Sequence, residues 1–355
     1  MMHKNNQSGY ILAVTLALIA LCMFISTYVF NKGFVFTRFS QTMVDREKAR
    51  QLAYGGIQLA IGQLAIPPKK LEKKAAPEPT KGAQAGAATE SDVKNLLKAI
   101  LPNLNKAQKF ALKQSVDGIN GTISITLGSE EGKININRSY DFDKHAFVGE
   151  GQPNGDMKKM FQELFALIKE KNNADLFADF EKFLKERKYP LNDVTELLKI
   201  KSFEVFKNDL YYDPNVQSKS DDQKQKIFLT DIFTLASSKK EIDPWLFSDS
   251  MMVLLNLKQA KAPSADDMLK NFKEQNDWKN DWNKIFKPIY DVEFNALPKS
   301  IATLLNPTFA PKIFSVLSQA TVNKVTVSIW AILEYEKGTG KDAAPMVHIR
   351  NVYLI

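Results

Sequence analysis

The sequence is poor in the residues that metal and redox chemistry require. It contains one cysteine and three histidines in 355 residues. A single cysteine excludes an intrachain disulfide and cysteine-rich zinc or iron–sulfur sites, and three histidines leave little for a histidine-based metal cage. His3, His145 and His348 are too scattered for a catalytic triad, and Cys22 lies inside an apolar run. The P-loop, G-x-S-x-G and H-E-x-x-H motifs are also missing, so we expect no enzymatic activity.

The excess of positive over negative charge is also small. The chain has 48 basic and 40 acidic residues, a net charge of +8, with 44% apolar and 25% charged residues. This is the composition of a globular protein, and the length allows about two domains. Five lysines lie in one segment rich in Pro, Ala and Gly, 66 to 92, where no aromatic residue is interleaved for base stacking. We therefore interpret that segment as a flexible linker and expect no nucleic-acid partner.

One long hydrophobic run stands near the start of the chain. Residues 10 to 30, YILAVTLALIALCMFISTYVF, contain no charge, and 21 helical residues are about as long as a bilayer core is thick. A cleaved secretory signal has a shorter apolar region that ends in small residues. Lys4 lies on one side of the run and Lys32, Arg38 and Arg46 lie on the other, so flanking charge sets the orientation only weakly. The run predicts a transmembrane helix.

Helical spacing continues beyond this run to about residue 64 as a stem. Small residues recur there at i, i+4, i+7 and i+11 and form one stripe that lets another backbone approach closely. Two interpretations remain open: the stripe packs on the chain's own domain, or it also packs against copies of the helix in a fibre. The residues of the stripe are Ala49, Ala53, Gly56 and Ala60.

Two short segments with alternating apolar and polar residues follow the linker. Residues 122 to 127 and 133 to 137 flank a link rich in turn formers, which predicts a β-hairpin. Asn135 and Asn137 would then share one face. They either face solvent or cap turns, or else form a carboxamide pair that closes the sheet against the next domain.

The remainder of the chain changes from helical to strand periodicity. Apolar stripes at helical spacing dominate from about 154 to 290, and their phenylalanines are predicted to form a core. Three runs of period two follow, at 311 to 317, 325 to 335 and 347 to 355. These strands are expected to complete the sheet that begins at Gly121, which predicts an α+β fold whose sheet is interrupted by a helical insert.

The N-terminal pattern resembles that of type IV pilin-like proteins. A short basic leader ends in Gly9, an apolar helix starts at once, and an amphipathic helix continues it. The resemblance implies that a prepilin peptidase cuts between Gly9 and Tyr10 and that Tyr10 becomes a methylated N-terminus. The family usually has Phe at that position and Glu at the fifth mature position, where this sequence has Val14. A buried carboxylate in an apolar bundle needs a partner, and a subunit with no neighbour ahead has none.

Two further segments are similar to type II secretion protein K, a minor pseudopilin of the pseudopilus tip that lacks this glutamate. REKARQLAYGGIQLAIGQL is similar to the segment after its membrane helix, and EEGKININ is similar to its acidic-Gly-Lys-hydrophobic-Asn strand. The matching positions of the strand are Gly132, Lys133, Asn135 and Asn137. The resemblance implies a pilin-like sheet that is interrupted by two SAM-like helical subdomains.

The resemblance also implies an organisation of the chain. It consists of a leader at 1 to 9, a transmembrane helix at 10 to 30, a stem at 31 to 65, a linker at 66 to 92, the first part of the pilin-like domain at 93 to 140, a helical insert at 141 to 300 with subdomains at about 141 to 225 and 226 to 300, and C-terminal strands at 301 to 355. In this interpretation the soluble domain lies in the periplasm, on a single-pass anchor in a bacterial inner membrane.

The implied function is to cap the pseudopilus tip of a type II secretion system. The implied partners are other minor pseudopilins, the major pseudopilin, the inner-membrane secretion platform and the prepilin peptidase. Calcium is a weaker expectation, from Asp141 with Asp143 and Asp213 with Asn215, because neither pair has the remaining oxygens of an EF-hand loop. Two alternatives stay open: a minor pilin with one uninterrupted sheet, and a periplasmic enzyme or binding protein that keeps residues 1 to 9 as part of a signal anchor.

Overall fold

The computed structural model describes residues 7 to 65, 100 to 152, 155 to 212, 226 to 237, 239 to 258, 282 to 306, 311 to 336 and 346 to 355. The helices are α1 Gln7–Leu64, α2 Gln114–Asp117, α3 Ile136–Ser139, α4 Met157–Asn172, α5 Phe177–Lys185, α6 Leu229–Ile232, α7 Asp249–Leu254, α8 Trp282–Tyr290 and α9 Lys299–Ala302. Short 3-10 helices span Val194–Lys199, Lys201–Phe206, Pro244–Leu246 and Phe294–Ala296. The strands are β1 Ala107–Leu112, β2 Gly121–Ser129, β3 Ile134–Asn135, β4 Tyr140–Asp141, β5 Ala146–Phe147, β6 Phe233–Thr234, β7 Ile313–Val322, β8 Val325–Glu336 and β9 Met346–Leu354.

Helix α1 is uninterrupted over 58 residues. At 1.5 Å per residue it is about 87 Å long. No proline lies within it, and the apolar run passes directly into the amphipathic stem. The predicted continuation of the first helix to Leu64 is therefore confirmed, whereas the predicted linker at 66 to 92 lies outside the described residues.

The main sheet has five antiparallel strands in the order β1-β2-β7-β8-β9. Strand β2 pairs with β7 from Gly121 opposite Val322 to Ser129 opposite Phe314. The chain between these neighbouring strands forms the insert, and most of the regular secondary structure in its described residues is helical. The prediction of an α+β fold with an interrupted sheet is thus confirmed, as are the three strands at the C-terminal end. Strand β1 was missed, because AQKFAL alternates only weakly between apolar and polar residues.

The predicted hairpin of residues 122 to 127 with 133 to 137 is wrong. Both edges of β2 are occupied, by β1 on one side and β7 on the other, so β2 has no free edge for a hairpin partner. Residues 133 to 137 instead turn into the insert, where β3 pairs in parallel with β6 and α3 starts at Ile136. The turn formers between the two segments produce a change of direction out of the sheet.

Helix α1 and the insert cover opposite faces of the sheet. The C-terminal half of α1 packs across β2, β7 and β8. Alternate residues of β7 point to opposite sides, so Ser318 contacts α1 while Ser315 and Leu317 face a small cavity shared with the insert. On the same side, Tyr211 of the insert contacts Trp330 of β8, with ring centroids 6.0 Å apart. The result is three layers: helix, sheet and insert.

The insert has an aromatic core of its own. Phe180 lies at its centre, with ring centroids 5.0 Å from Phe161 and 5.1 Å from Phe165. Phe203 and Phe233 complete this cluster, and all five side chains are buried. The predicted phenylalanine core is confirmed. The boundary predicted near residue 225 between two subdomains adjoins 213 to 225, which lie outside the described residues.

Candidate assembly surface

The N-terminal half of α1 is an exposed apolar surface. From Tyr10 to Val44, every residue whose burial is described is exposed. Among the described residues, this is the helix that is long and apolar enough to cross a membrane, by length and composition. Contiguous apolar patches of this size mark a surface that a membrane or another protein covers. The segment therefore presents a surface for lipid, for another protein or for both.

Helix α1 leaves the sheet at Asp45. The side chain of Asp45 is buried, and its carboxylate accepts hydrogen bonds from the Asn323 amide and the Gln41 amide, both at 2.9 Å. Asn323 has a left-handed φ of 53° in the two-residue turn between β7 and β8, a conformation that asparagine tolerates better than most residues. This contact fixes the point at which the helix projects from the domain.

The four small residues of the predicted stripe lie together against the sheet. Ala49, Ala53 and Ala60 are fully buried, and Gly56 is buried beside β7. A Cβ atom on Gly56 would lie 2.1 Å from Oγ and 3.2 Å from Cβ of Ser318, so glycine favours this close approach. The stripe is in contact with the chain's own sheet, which is the first of the two interpretations, and in this fold it is not available to copies of the helix.

EEGKININ forms a buried polar junction between the sheet and the insert. Lys133 is buried, and its ammonium donates to Glu130 at 2.5 Å and lies 3.5 Å from Oγ of Ser315 in β7. The other Glu130 oxygen accepts from the Thr234 hydroxyl in the insert. A buried ion pair survives desolvation only when further hydrogen bonds satisfy its remaining atoms. Here one partner comes from the sheet and the other from the insert, so the pair links the two layers.

Gly132 lets the backbone of this junction approach the insert. A Cβ atom there would lie 1.7 Å from the carbonyl oxygen of Leu246 and 2.8 Å from the amide nitrogen of Phe247. Both clashes are with backbone, which cannot rotate away as a side chain would. Any larger residue at 132 would therefore displace the 3-10 helix Pro244–Leu246 from the junction.

The two asparagines bind the insert through their amides. Asn135 donates to the carbonyl oxygen of Ser237 at 2.6 Å and accepts from the amide of Arg138, capping α3. Asn137 donates to the carbonyl oxygen of Leu191 at 2.8 Å and accepts from the amide of Leu191 at 2.9 Å. Neither amide depends on solvent for these bonds. The predicted shared strand face is wrong, because Asn135 lies in β3 and Asn137 in α3. Asn135 acts as a cap, as in the first interpretation, and both side chains also bind backbone of the insert.

Several buried or half-buried carboxyl groups in and near the junction were not predicted from the sequence. Burial raises the pKa of Glu131 to about 7, and one of its oxygens has no hydrogen-bond partner among the described residues. Burial also raises the pKa of Asp249 to about 7, and its carboxylate accepts from the Tyr212 hydroxyl. Desolvation raises the pKa of Asp243 and Asp231 as well. The sequence feature that could have indicated this burial is the pair of glutamates before Gly132, because these two acidic residues lie in a segment that is otherwise strand-like.

The remaining predicted site residues are dispersed. Tyr10 and Val14 lie on the exposed surface of α1, and the backbone of Gly9 belongs to the same helix. Asp141 accepts from the amides of Asp143 and Lys144, both at 3.1 Å, and pairs with the Lys144 ammonium at 3.0 Å. Its carboxylate is thus bound by its own turn. The second predicted calcium pair, at 213 and 215, lies outside the described residues, and no group of three potential metal ligands is found within them.

Comparison with known proteins finds a likeness among solved structures. No protein-family model and no curated protein matches the chain. Among solved structures, the chain is similar to a chain of the GspK-GspI-GspJ complex from the type 2 secretion system of enterotoxigenic Escherichia coli. The TM-score is 0.48 at 14% sequence identity, and the match covers 89% of this chain and 98% of that chain.

Proposed function

We propose that this protein is a membrane-inserted minor pseudopilin of a type II secretion system that caps the tip of the pseudopilus. It would assemble with other minor pseudopilins, next to the major pseudopilin and the inner-membrane secretion platform. It would thereby support protein export across the outer membrane. The soluble domain would lie in the periplasm, and the activity would be assembly rather than catalysis.

The observation that carries the proposal is the division of α1 into two halves. The C-terminal half packs on the sheet and buries its small-residue face there. Residues 10 to 44 project from the domain as an exposed apolar helix. The projecting part measures about 52 Å, well beyond the ~30 Å of a bilayer core. A membrane alone does not bury such a length. A bundle of similar helices, which is the core of a pilus-like fibre, would bury the remainder.

The insert and the missing glutamate favour a tip position. The insert adds a second body to the face of the sheet opposite α1, and such a width would hinder the addition of a subunit ahead. Val14 supplies no carboxylate for pairing with the terminal amine of such a subunit. Both features act at the end of the fibre where a subunit ahead would be added. Together they support a tip position, with other subunits behind this one and none ahead of it.

The interrupted sheet disfavours the first alternative. A minor pilin of a surface pilus was expected to have one uninterrupted sheet, whereas β2 and β7 of this sheet are separated in sequence by the whole insert. The second alternative, a signal-anchored enzyme or binding protein, predicts that the leader stays attached.

Co-expression of residues 33 to 355 with candidate minor pseudopilins from the same genome tests the proposal. We expect a stable complex that co-purifies through gel filtration. A matched shorter chain, residues 45 to 355, keeps the buried stem but lacks the exposed segment before Asp45, and we expect it to bind more weakly. If residues 33 to 355 form no complex with any candidate, the proposed function is contradicted.

A further inference from the structure

A groove opens where α1 leaves the sheet. Met43, Arg46 and Arg50 of α1 form one wall, and the start of β8 and the end of β9 form the other, with Val325 and Leu354. Its volume is about 400 Å³. Leu354 is 55% exposed and Met43 is 48% exposed, so apolar side chains from two elements meet here without a cover from the described residues.

The groove exists because α1 does not reach the edge strand. Leu354 of β9 lies opposite Ile329 of β8, and Val352 lies opposite Ala331. Residues opposite each other in an antiparallel pair share a face of the sheet. Ile329 and Ala331 are fully buried, whereas Val352 and Leu354 on the same face are exposed. The helix-bearing face of the sheet thus has room beside α1 for a second helix.

The groove continues along α1 as a single face of that helix. Large apolar residues and the groove residues recur at steps of three or four, the spacing of one helical face. This face extends over 23 residues, about 33 Å. A surface of this length, running along a helix, is suited to another helix rather than to a loop. The residues of the face are Tyr28, Lys32, Val35, Phe39, Met43, Arg46 and Arg50.

The charge of this face selects the kind of helix. Lys32, Arg46 and Arg50 are exposed along it, and Glu47 is the acidic side chain in the groove, 3.8 Å from Arg50. A parallel second copy of this chain in register would place Arg46 against Arg46. Such a copy would bring little acidic charge to the interface, because its Asp45 is hydrogen-bonded to Asn323. Like charges in an interface disfavour a wrong partner, and opposite charges favour the right one.

We propose that this groove binds the stem helix of a different subunit, an apolar helix with acidic side chains opposite Arg46 and Arg50. The inference rests on the proposed function and names the partner chemistry of its assembly surface. The partner helix lies beside α1 against β9 and covers Val352, Leu354 and Met43. Its membrane-proximal part packs along α1 toward Tyr28.

Site-specific photo-cross-linking tests this position. The full chain carries p-benzoylphenylalanine at Leu354 and is co-expressed in membranes with the candidate minor pseudopilins, and the cross-linked peptides are identified by mass spectrometry. We expect cross-links to the N-terminal helix of one partner. The matched control carries the same group at Val116, which is 80% exposed on α2 and outside the groove, and we expect no such product from it.

Charge reversal tests the partner chemistry. The double variant Arg46→Glu/Arg50→Glu is expected to lower the yield of the Leu354 cross-link several-fold. The double variant Lys109→Glu/Lys113→Glu makes the same change of charge at exposed positions on and after β1 and is expected to leave the yield unchanged. Replacing the mapped acidic residues of the partner by lysine is expected to restore the yield with the first variant, a result that misfolding would not give.

The possible results separate the two proposals. A cross-link from Leu354 to a second copy of this chain, or a yield that charge reversal does not change, overturns the groove inference. If the complex co-purifies but Leu354 gives no cross-link to it, the groove inference fails while the proposed function stands. If no complex forms, both fail.

Discussion

Gly55 and Gly56 are neighbours in α1 with opposite surroundings. A Cβ atom on Gly55 would have nothing within 4 Å, whereas one on Gly56 would lie 2.1 Å from Oγ and 3.2 Å from Cβ of Ser318 and 3.1 Å from Cγ2 of Ile123. Rotation of the serine hydroxyl relieves the first contact only. We therefore expect Gly56→Ala to lower the free energy of unfolding by about 1 to 2 kcal/mol through overpacking.

The matched variant Gly55→Ala should have the opposite effect. Alanine is a better helix former than glycine, so this variant should raise the free energy of unfolding by up to about 1 kcal/mol. Chemical denaturation of the full chain in detergent, for both variants beside the wild type, makes the comparison. Equal effects of the two substitutions would contradict the close packing of α1 on β7.

The buried carboxyl groups of the junction predict how stability depends on pH. The pKa of Glu131 rises on folding from 4.5 to about 7. Between these values the folded state holds a proton that the unfolded state has lost, so stability falls as pH rises through this window and is lowest above pH 7. Each such group contributes a slope of roughly 1.4 kcal/mol per pH unit. We expect Glu131→Gln to flatten the fall in stability between pH 5 and pH 7, measured by unfolding at several pH values.

An exposed carboxyl group supplies the control for this pH series. Lys169 lowers the pKa of Asp175, so the contribution of Asp175 is present at neutral pH and is lost only in acid. Asp175→Asn should therefore leave the slope between pH 5 and pH 7 unchanged. An unaltered slope in Glu131→Gln would show that Glu131 is not held protonated in the folded protein.

Sequence alone predicted the small-residue face of α1 but not the acidic residues of the junction. Helical spacing repeats a face every 3.6 residues, so Ala49 and Ala53 reveal a close contact without knowledge of the partner. The burial of Glu131 depends instead on a strand and an insert that are distant in sequence. Acidic residues are normally exposed, and nothing local marks Glu131 as an exception.

At the scale of elements, Asp45 and Asn323 join the stem helix to the β7–β8 turn. Their hydrogen bond is 2.9 Å long and the carboxylate is buried. A double-mutant cycle with Asp45→Ala and Asn323→Gly isolates it, because glycine keeps the left-handed backbone of the turn. We expect a coupling energy of about 1 to 3 kcal/mol, as for a hydrogen bond to a charged group. Additive effects in thermal or chemical unfolding would show that the two elements are held by other contacts.

The edge strand β9 has an irregular register that hinders pairing with a strand of another molecule. A register shift follows Ile332 of β8, and Arg350 at this point binds both carboxylate oxygens of Glu334 at 2.7 Å. Bulges and charges on an edge hinder unwanted strand pairing. We interpret the exposed apolar residues of β9 as a surface for a helix on its face, since its edge carries these safeguards.

The period-two pattern of the sequence predicted the positions of the strands better than it predicted which strands pair. The alternation in β8 gave a strand at nearly the observed bounds, because period two is a local property. The hairpin was wrong because pairing depends on which edges of β2 are free, and those edges are taken by β1 and β7. The turn formers before Lys133 indicated that the chain changes direction, but not that it passes into the insert.

At the scale of the molecule, the protein consists of three layers, the stem helix, the sheet and the insert, and of an apolar helix that projects from them. The stem is buried by the sheet, the insert is attached through the buried junction at Glu130 and Lys133, and the projecting apolar helix is left for other molecules. The order of these parts followed from the sequence, since each has its own periodicity. The partners in the proposed assembly lie outside this chain, so its fold alone does not identify them.

The mature N-terminus tests the pilin-like account most directly. The full chain is expressed with a prepilin peptidase from the same genome, isolated from membranes and analysed by intact-mass and N-terminal peptide mass spectrometry. We predict a protein that starts at Tyr10 with a methylated amine, and a Gly9→Ala variant, which changes the residue before the cut, that remains uncut or is cut poorly. A wild-type protein that retains residues 1 to 9 would contradict this account and support the signal-anchored alternative.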